Sequence, residues 1–266
     1  MAREVEAASV AVPTSEHARV GVALLEAGVD VLVEKPIAAS LAEADQLVAT
    51  AEARRRILHV GHTERFNPAV VAAQRILTTP LFFEVHRLGG FSGRSLDVDV
   101  VYDVMIHDLD IILSFVGMLP TTVHAVGIPI LSSKADIANV RLEFSTGCVA
   151  NLTASRVSTE KVRKLRFFQP GQYVSLDFTR QDALVISVAP GAGRPELGFQ
   201  ELRTAEPEEP LAAELRCFLQ AVRTRQAGPV TGAEGRRALE VAERVAQGIA
   251  EHARKVPGAA FPLTRA

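Results

Sequence analysis

The sequence predicts an α/β segment followed by an α+β domain, and three features of its layout carry that expectation. Short apolar runs alternate with amphipathic helical stretches over the first sixty residues. The pattern breaks near residues 62–68, and β-branched runs then dominate residues 121–188 before two closing helical stretches. Ala8–Pro13 (ASVAVP) reads as a strand buried on both faces. Thr14 reads as the N-cap of a helix with Val20, Leu24 and Leu25 as its stripe, stopped by Gly28. Val29–Val33 (VDVLV) is a second buried strand, ending in Glu34-Lys35-Pro36. Ser40 with Glu43 three residues on forms a capping box for a helix carrying Leu41, Ala44, Leu47, Val48 and Ala51 on one face. Ile57–Val60 is a third strand. Strands and helices in strict alternation with short links predict a parallel sheet with right-handed crossovers.

After Gly61, Asn67-Pro68 opens a helix to about Leu77, Leu81–Leu88 alternates as a strand, and another helix is expected near Val101–Val116. The runs between Thr121 and Val188 are separated by turn signals such as Ser145-Thr146-Gly147 and Pro170-Gly171. They predict a mostly antiparallel open sheet with helices on one face. Ala189–Pro210, rich in Pro and Gly, is expected to be a surface loop, and Leu211–Arg225 and Ala233–Arg254 to be helices. Two domains follow: 1–64, and 65–266 with the closing helices packing back on the first.

Twenty-nine Lys and Arg against 31 Asp and Glu leave a formal charge of −2, so no polybasic field argues for a nucleic-acid or anionic-membrane partner. No apolar run approaches the ~20 residues of a membrane helix, and the N-terminal residues carry no signal-peptide pattern. Cys148 and Cys217 match neither a disulfide framework nor a zinc spacing. A soluble, cytoplasmic protein is expected. No G-x-G-x-x-G links a strand to a helix; Gly191-Ala192-Gly193 lies in the Pro-rich stretch with no helix behind it. The first sixty residues therefore read as the C-terminal half of a Rossmann-type parallel sheet, without the glycine-rich half.

Two constellations suit chemistry. Lys35 stands at the carboxyl end of a buried strand, where open α/β sheets bind ligands; partial desolvation would suit it to hold a hydroxyl or share a proton, though a lysine there can equally be a solvated one. Asp103 and His107, in DVMIHDLDIIL, are four apart and share a helix face, so a carboxylate and an imidazole can converge on one ligand; a helix-stabilising pair has the same spacing. Asp108 and Asp110 point elsewhere on the helix wheel. His59 and His62 face opposite sides of a strand and do not make a shared metal site, and no metal is expected. Thr14 and His17 lie on the same sheet edge as Lys35, although His17 alone would read as a surface residue. Arg65 and Asn67 belong to a hinge segment. No G-x-S-x-G supports a serine hydrolase.

Taken together, Val12-Pro13-Thr14 with His17, then Glu34-Lys35-Pro36, then Asp103 with His107, resemble the Gfo/Idh/MocA family of nicotinamide-dependent oxidoreductases over nearly the whole chain. Gly61–Val70 and Arg94–Ile111 look most like a branch that oxidises the 3-hydroxyl of UDP-N-acetylglucosamine. The resemblance implies NAD or NADP as cofactor and a sugar or nucleotide-sugar substrate. It also implies a homo-oligomer paired through the C-terminal sheet. It gives Lys35 contact with both the nicotinamide and the reacting hydroxyl, His107 the role of general base, and Asp103 that of orienting the substrate. Pro13, Thr14, His17, Glu34, Arg65 and Asn67 fall beside the cofactor, and the loop Phe91–Asp99 lines the substrate pocket. Lys35 and His107 are expected to meet around a single carbinol. The missing glycine loop leaves two expectations, a start internal to a longer reading frame (the one favoured) or a cofactor-impaired member that binds sugar or self-associates. A cyclitol or other sugar is the alternative substrate.

Overall fold

A computed structural model describes residues 5–91, 98–189, 196–202 and 209–256. The chain forms two compact units, one from the described residues of Met1–Phe66 and Glu208–Glu240, the other from those of Asn67–Pro207 and Val241–Ala266.

The first unit is built on a parallel sheet of β1 (Ala7–Val10), β2 (Asp30–Glu34) and β3 (Leu58–Gly61), in the order β1-β2-β3. The helices α1 (His17–Glu26) and α2 (Leu41–Arg54) connect the strands, as the alternating pattern predicts. Only Val10 of β1 is buried, whereas β2 and β3 are buried nearly throughout. The apolar run Ala8–Pro13 was expected to be covered on both faces. Its strand instead lies at the sheet edge and stops at Val10, leaving Val12 and Pro13 exposed. Thr14 is not the cap of α1: the chain enters through a one-turn 3-10 segment, Thr14–Glu16, with no side-chain cap. Ser40 does cap α2, accepting from Glu43 N at 3.3 Å. The Glu43 carboxylate answers on Ala39 N at 3.0 Å, one residue before the cap. Gly28 has φ of +84°, the left-handed turn that ends α1. The helix α5 (Pro210–Thr224) lays Phe218 and Val222 on Leu32.

The second unit is an open eight-stranded sheet. Its strands are β4 (Phe82–Leu88), β5 (Thr122–Ile128), β6 (Ile137–Glu143), β7 (Val149–Ser155), β8 (Val162–Gln169), β9 (Gln172–Asp177), β10 (Asp182–Ala189) and β11 (Glu196–Leu202). The order is β11-β10-β9-β8-β4-β7-β6-β5, and every pairing is antiparallel except β4 with β7. Strict alternation along β4 buries Phe83, Val85 and Arg87 on one face. There Phe83, Phe115 and Phe167 pack with ring centroids 5.8–6.3 Å apart. The expectation of a structureless 189–210 is corrected: β11 pairs with β10 from Ala183↔Leu202 to Ala189↔Glu196. Gly191-Ala192-Gly193 lies outside the described residues. Asn67 opens α3 (Pro68–Gln74) by accepting from Ala69 N at 3.1 Å. The expected helix over 101–116 begins as a π turn, Val101–Met105, and continues as α4 (Ile106–Val116). The closing α6 (Gly232–Lys255) buries Leu239, Ala242, Val245 and Ile249. None of the described helices is long and apolar enough to cross a membrane.

Candidate active site

In the first unit the site residues gather at the carboxyl edge of the sheet. His17 is buried, not exposed as its isolated position suggested. Its Nδ1 lies 2.9 Å from Pro36 O and its Nε2 2.9 Å from Val12 O, two oxygens that can only accept. One imidazole thus ties the loop after β1, with Pro13 and Thr14, to the Glu34-Lys35-Pro36 turn after β2. The Lys35–Pro36 bond is cis. Glu34 Oε2 accepts from Lys35 N at 3.3 Å. The same carboxylate lies over Gly61 of β3, where an added Cβ would come within 2.8 Å of Oε2 and displace it. Glu34, Lys35 and Thr14 remain half-buried.

Behind this edge, Thr63 Oγ1 donates to Glu214 Oε2 at 3.0 Å. Glu214 is 1% exposed, and its Oε1 has no hydrogen-bond partner among the described residues. Burial pushes this acid up to about 7; the Thr63 hydrogen bond opposes the shift, and the negative charges of Glu34 and Glu209 add to it. Burial also lowers the pKa of His59, with Glu234 acting against it, and His59 Nε2 accepts from Gly228 N at 3.2 Å. Arg65 is buried and donates to Pro229 O at 3.0 Å, with Glu234 3.8 Å away.

In the second unit a pocket of about 400 Å³ opens at the end of β4. Arg87, Asp103, Arg156, Lys161 and Arg163 line it with Gly89 and Gly90. Asp103 sits in the π turn and His107 one turn on, in α4. Winding by either helix type keeps residues four apart within about 40° of each other, so both still share a face. A π turn inside a helix often marks a functional position. Asp108, one residue past His107, is buried with Arg87, which grips it through Nε at 2.9 and 3.0 Å and through Nη2 at 2.7 Å. Arg87 also stands 4.8 Å from the Phe178 ring centroid. Arg156 Nε donates to Asp136 at 2.8 Å, and the amides of Ile130, Leu131 and Ser132 donate to the same carboxylate at 2.6–2.9 Å. Burial opposes ionisation of Asp136, but these donors outweigh it and hold the acid well below the usual carboxylate range. Asn67 donates to Phe178 O at 3.1 Å. Residues 92–97 of the loop expected to line the substrate pocket lie outside the described residues.

The structure therefore brings Pro13, Thr14, His17, Glu34 and Lys35 together in one unit, and Asp103 with His107 in the other. Arg65 and Asn67 bond to backbone carbonyls within their own units. Sequence reasoning missed Glu214, Lys161, Arg163 and the two buried Arg–Asp pairs. Arg87 left a readable trace, a charged residue in register with the buried Phe83 and Val85 of an alternating strand. Among the described residues, no three His, Cys, Asp or Glu side chains gather as a metal site.

A parallel sheet with polar loops tied at its carboxyl edge, and an open sheet whose helix offers a carboxylate and an imidazole, define a two-unit oxidoreductase architecture. Sequence comparison agrees. The family model described as "Oxidoreductase family, NAD-binding Rossmann fold" matches residues 1–62, and "GFO/IDH/MocA C-terminal domain" matches residues 87–169. UDP-N-acetylglucosamine 3-dehydrogenase of Acidithiobacillus ferrooxidans is 38% identical over 245 residues, 91% of this chain and 78% of that protein. A solved structure of that enzyme superposes with a TM-score of 0.87 at 36% identity, covering 93% of this chain and 80% of the other. Inositol 2-dehydrogenase of Rhizobium meliloti is 24% identical over 94% of this chain and 80% of its own length. The chain belongs to the Gfo/Idh/MocA family of oxidoreductases.

The fit of a nicotinamide cofactor can be tested on the first unit. Half-buried Glu34 and Lys35, with Thr14 beside them, supply charged and hydroxyl groups at the ligand edge of the sheet, suited to ribose hydroxyls and a carboxamide. No G-x-G-x-x-G follows any of the three strands, so the residues present fit the nicotinamide and its ribose rather than the diphosphate.

Proposed function

We propose that this oxidoreductase removes a hydride from a sugar hydroxyl carbon, with the 3-hydroxyl of UDP-N-acetylglucosamine as the substrate position and NAD or NADP as cofactor. The observation that carries the reading is the pairing of Asp103 and His107 on one helix face, with Asp103 in the wall of a pocket of about 400 Å³, a volume suited to a hexosamine ring. The 38% identity to a UDP-N-acetylglucosamine 3-dehydrogenase supports the choice of substrate.

In this reading His107 takes the hydroxyl proton, Asp103 orients the sugar, and Lys35 steadies the oxygen as its negative charge develops. The cofactor, when bound, supplies the hydride acceptor. Pro13, Thr14, His17, Glu34 and Lys35 are assigned to its nicotinamide end, and His17 keeps the two loops of that edge in register. Arg65 and Asn67 serve by holding the backbone around them.

His107→Ala should lower kcat by on the order of 10²–10⁴, read as nicotinamide reduction with UDP-N-acetylglucosamine. Turnover equal to wild type would remove His107 from the reaction. A panel including free N-acetylglucosamine and inositols tests the substrate, and a preference for an inositol would replace the nucleotide sugar with a cyclitol.

A further inference from the structure

The pocket beside Asp103 is electrically lopsided, and the cations that make it so fall into two kinds. Arg87 and Arg156 are each matched by a buried carboxylate, Asp108 and Asp136. Lys161 and Arg163 have no carboxylate within ion-pair distance among the described residues, yet both line the pocket and both are exposed. Their neighbours on β8 differ: Lys164 pairs with Asp177 at 3.8 Å and Arg166 with Glu84 at 3.0 Å. The strand's alternation therefore sorts its charges. On one face they are matched within the protein, while Arg163 and the preceding Lys161 are left facing the pocket.

Register makes the arrangement tighter. Arg163 stands directly across from Arg87 in the β4–β8 pairing, so two guanidinium residues occupy adjacent strands on the same face. Arg87 is already balanced by Asp108, so the charge left open at this register is that of Arg163, and an anion seated there supplies its counter-charge. A neutral sugar or cyclitol offers these cations hydroxyl acceptors but no negative charge. A diphosphate offers several acceptor oxygens and two negative charges to a guanidinium and an ammonium.

We infer that Lys161 and Arg163 form an anion subsite that holds the diphosphate of a nucleoside-diphosphate sugar while its ring lies against Asp103. The inference rests on the nucleotide-sugar reading and deepens it, giving the residues that separate such a substrate from a free sugar or a cyclitol.

The test uses the full chain, wild type and Lys161→Ala/Arg163→Ala, with Arg163→Lys as the conservative variant. Both side chains are exposed, so melting temperatures should stay close to wild type. Loss of two charge-assisted contacts should raise KM for UDP-N-acetylglucosamine about 10- to 100-fold, with the loss falling on KM rather than kcat. The preference for that substrate over free N-acetylglucosamine should fall by the same factor, and Arg163→Lys should keep part of it. An equal loss on both sugars, or an unchanged KM, overturns the subsite. Calorimetry with UDP separates this from failure of the functional reading. If no nucleotide sugar is oxidised, UDP that binds wild type and is lost from the double variant still supports the subsite. UDP that binds both equally, or neither, ends it. A double variant that loses NAD affinity while keeping UDP affinity would assign the cations to the cofactor's diphosphate and likewise overturn the proposal.

Discussion

Glu214 in the first unit and Asp136 in the second are both carboxylic acids with almost no exposed surface, and burial opposes the ionised form of each. Glu214 receives one hydroxyl hydrogen bond and has other carboxylates nearby, so its pKa rises to about 7. Asp136 receives three backbone amides, the Ser132 hydroxyl and a guanidinium, and its pKa falls well below the ordinary range. Glu214 lies among more protein and has fewer donors than Asp136, and both differences move its pKa above that of Asp136. The contrast extends to the surroundings. The pocket of the second unit is framed by two carboxylate–guanidinium pairs, whereas the cofactor-type edge of the first holds an acid poised near neutrality behind Glu34.

Breaking the ionic frame should have the largest effect. Asp136→Ala leaves Arg156 buried without its counter-charge and strips the amides of Ile130, Leu131 and Ser132 of their acceptor. Removing one partner of a buried pair costs about 3–5 kcal/mol, a fall of roughly 6–20 °C in melting temperature for a chain of this size. Calorimetric melting at neutral pH checks it, and a loss below about 1 kcal/mol would mean that the pair contributes little net stability. The sign with pH follows from the depressed pKa. The stabilisation is present above the unfolded-state value of about 4 and is lost as pH falls toward the folded-state value.

Glu214→Gln attacks the other side of the contrast with a somewhat smaller effect. The raised pKa means that the wild type is favoured while the acid is neutral in both states. Stability is then lost as pH rises from the unfolded value near 4.5 through the folded value near 7. The amide keeps an oxygen for Thr63 and never ionises, so the variant should match wild type near pH 4.5 and exceed it by about 2–3 kcal/mol at pH 8. Denaturant melts at the two pH values give the difference. A gap that does not change with pH would show that Glu214 is ionised throughout.

The sequence made some of this legible, for reasons that separate local from distant chemistry. Ser40 with Glu43, and Asn67 before Pro68, fix helix starts within a few residues, and each was readable because cap and capped amide are neighbours in the chain. The alternation of β4 was readable for the same reason. The run before β11 hid that strand, because a fully exposed edge strand leaves no buried face for hydrophobic alternation to mark. Lys35, Asp103 and His107 stood out by motif. The pairs Arg87–Asp108 and Arg156–Asp136 did not, since their partners are brought together by the packing of sheet and helix rather than by spacing. Glu214 was invisible as well: within an amphipathic helix it reads as one more surface acid until Thr63, 151 residues away, is found against it.

The smallest effect sharpens the contrast most directly, because it removes the one side-chain donor that Glu214 has among the described residues. Thr63→Val keeps the shape of the residue and deletes the hydroxyl. A hydrogen bond to an ionised carboxylate is worth more than one to its neutral form by about 1 kcal/mol. The variant should therefore lose about 1 kcal/mol more at pH 8 than at pH 5, and the pH at which its stability levels off should move upward from that of wild type. Unfolding curves at matched pH read both quantities. If Thr63→Val costs the same at both ends, the hydroxyl does not sense the charge on Glu214, and the opposition drawn between this acid and Asp136 would have to rest on burial alone.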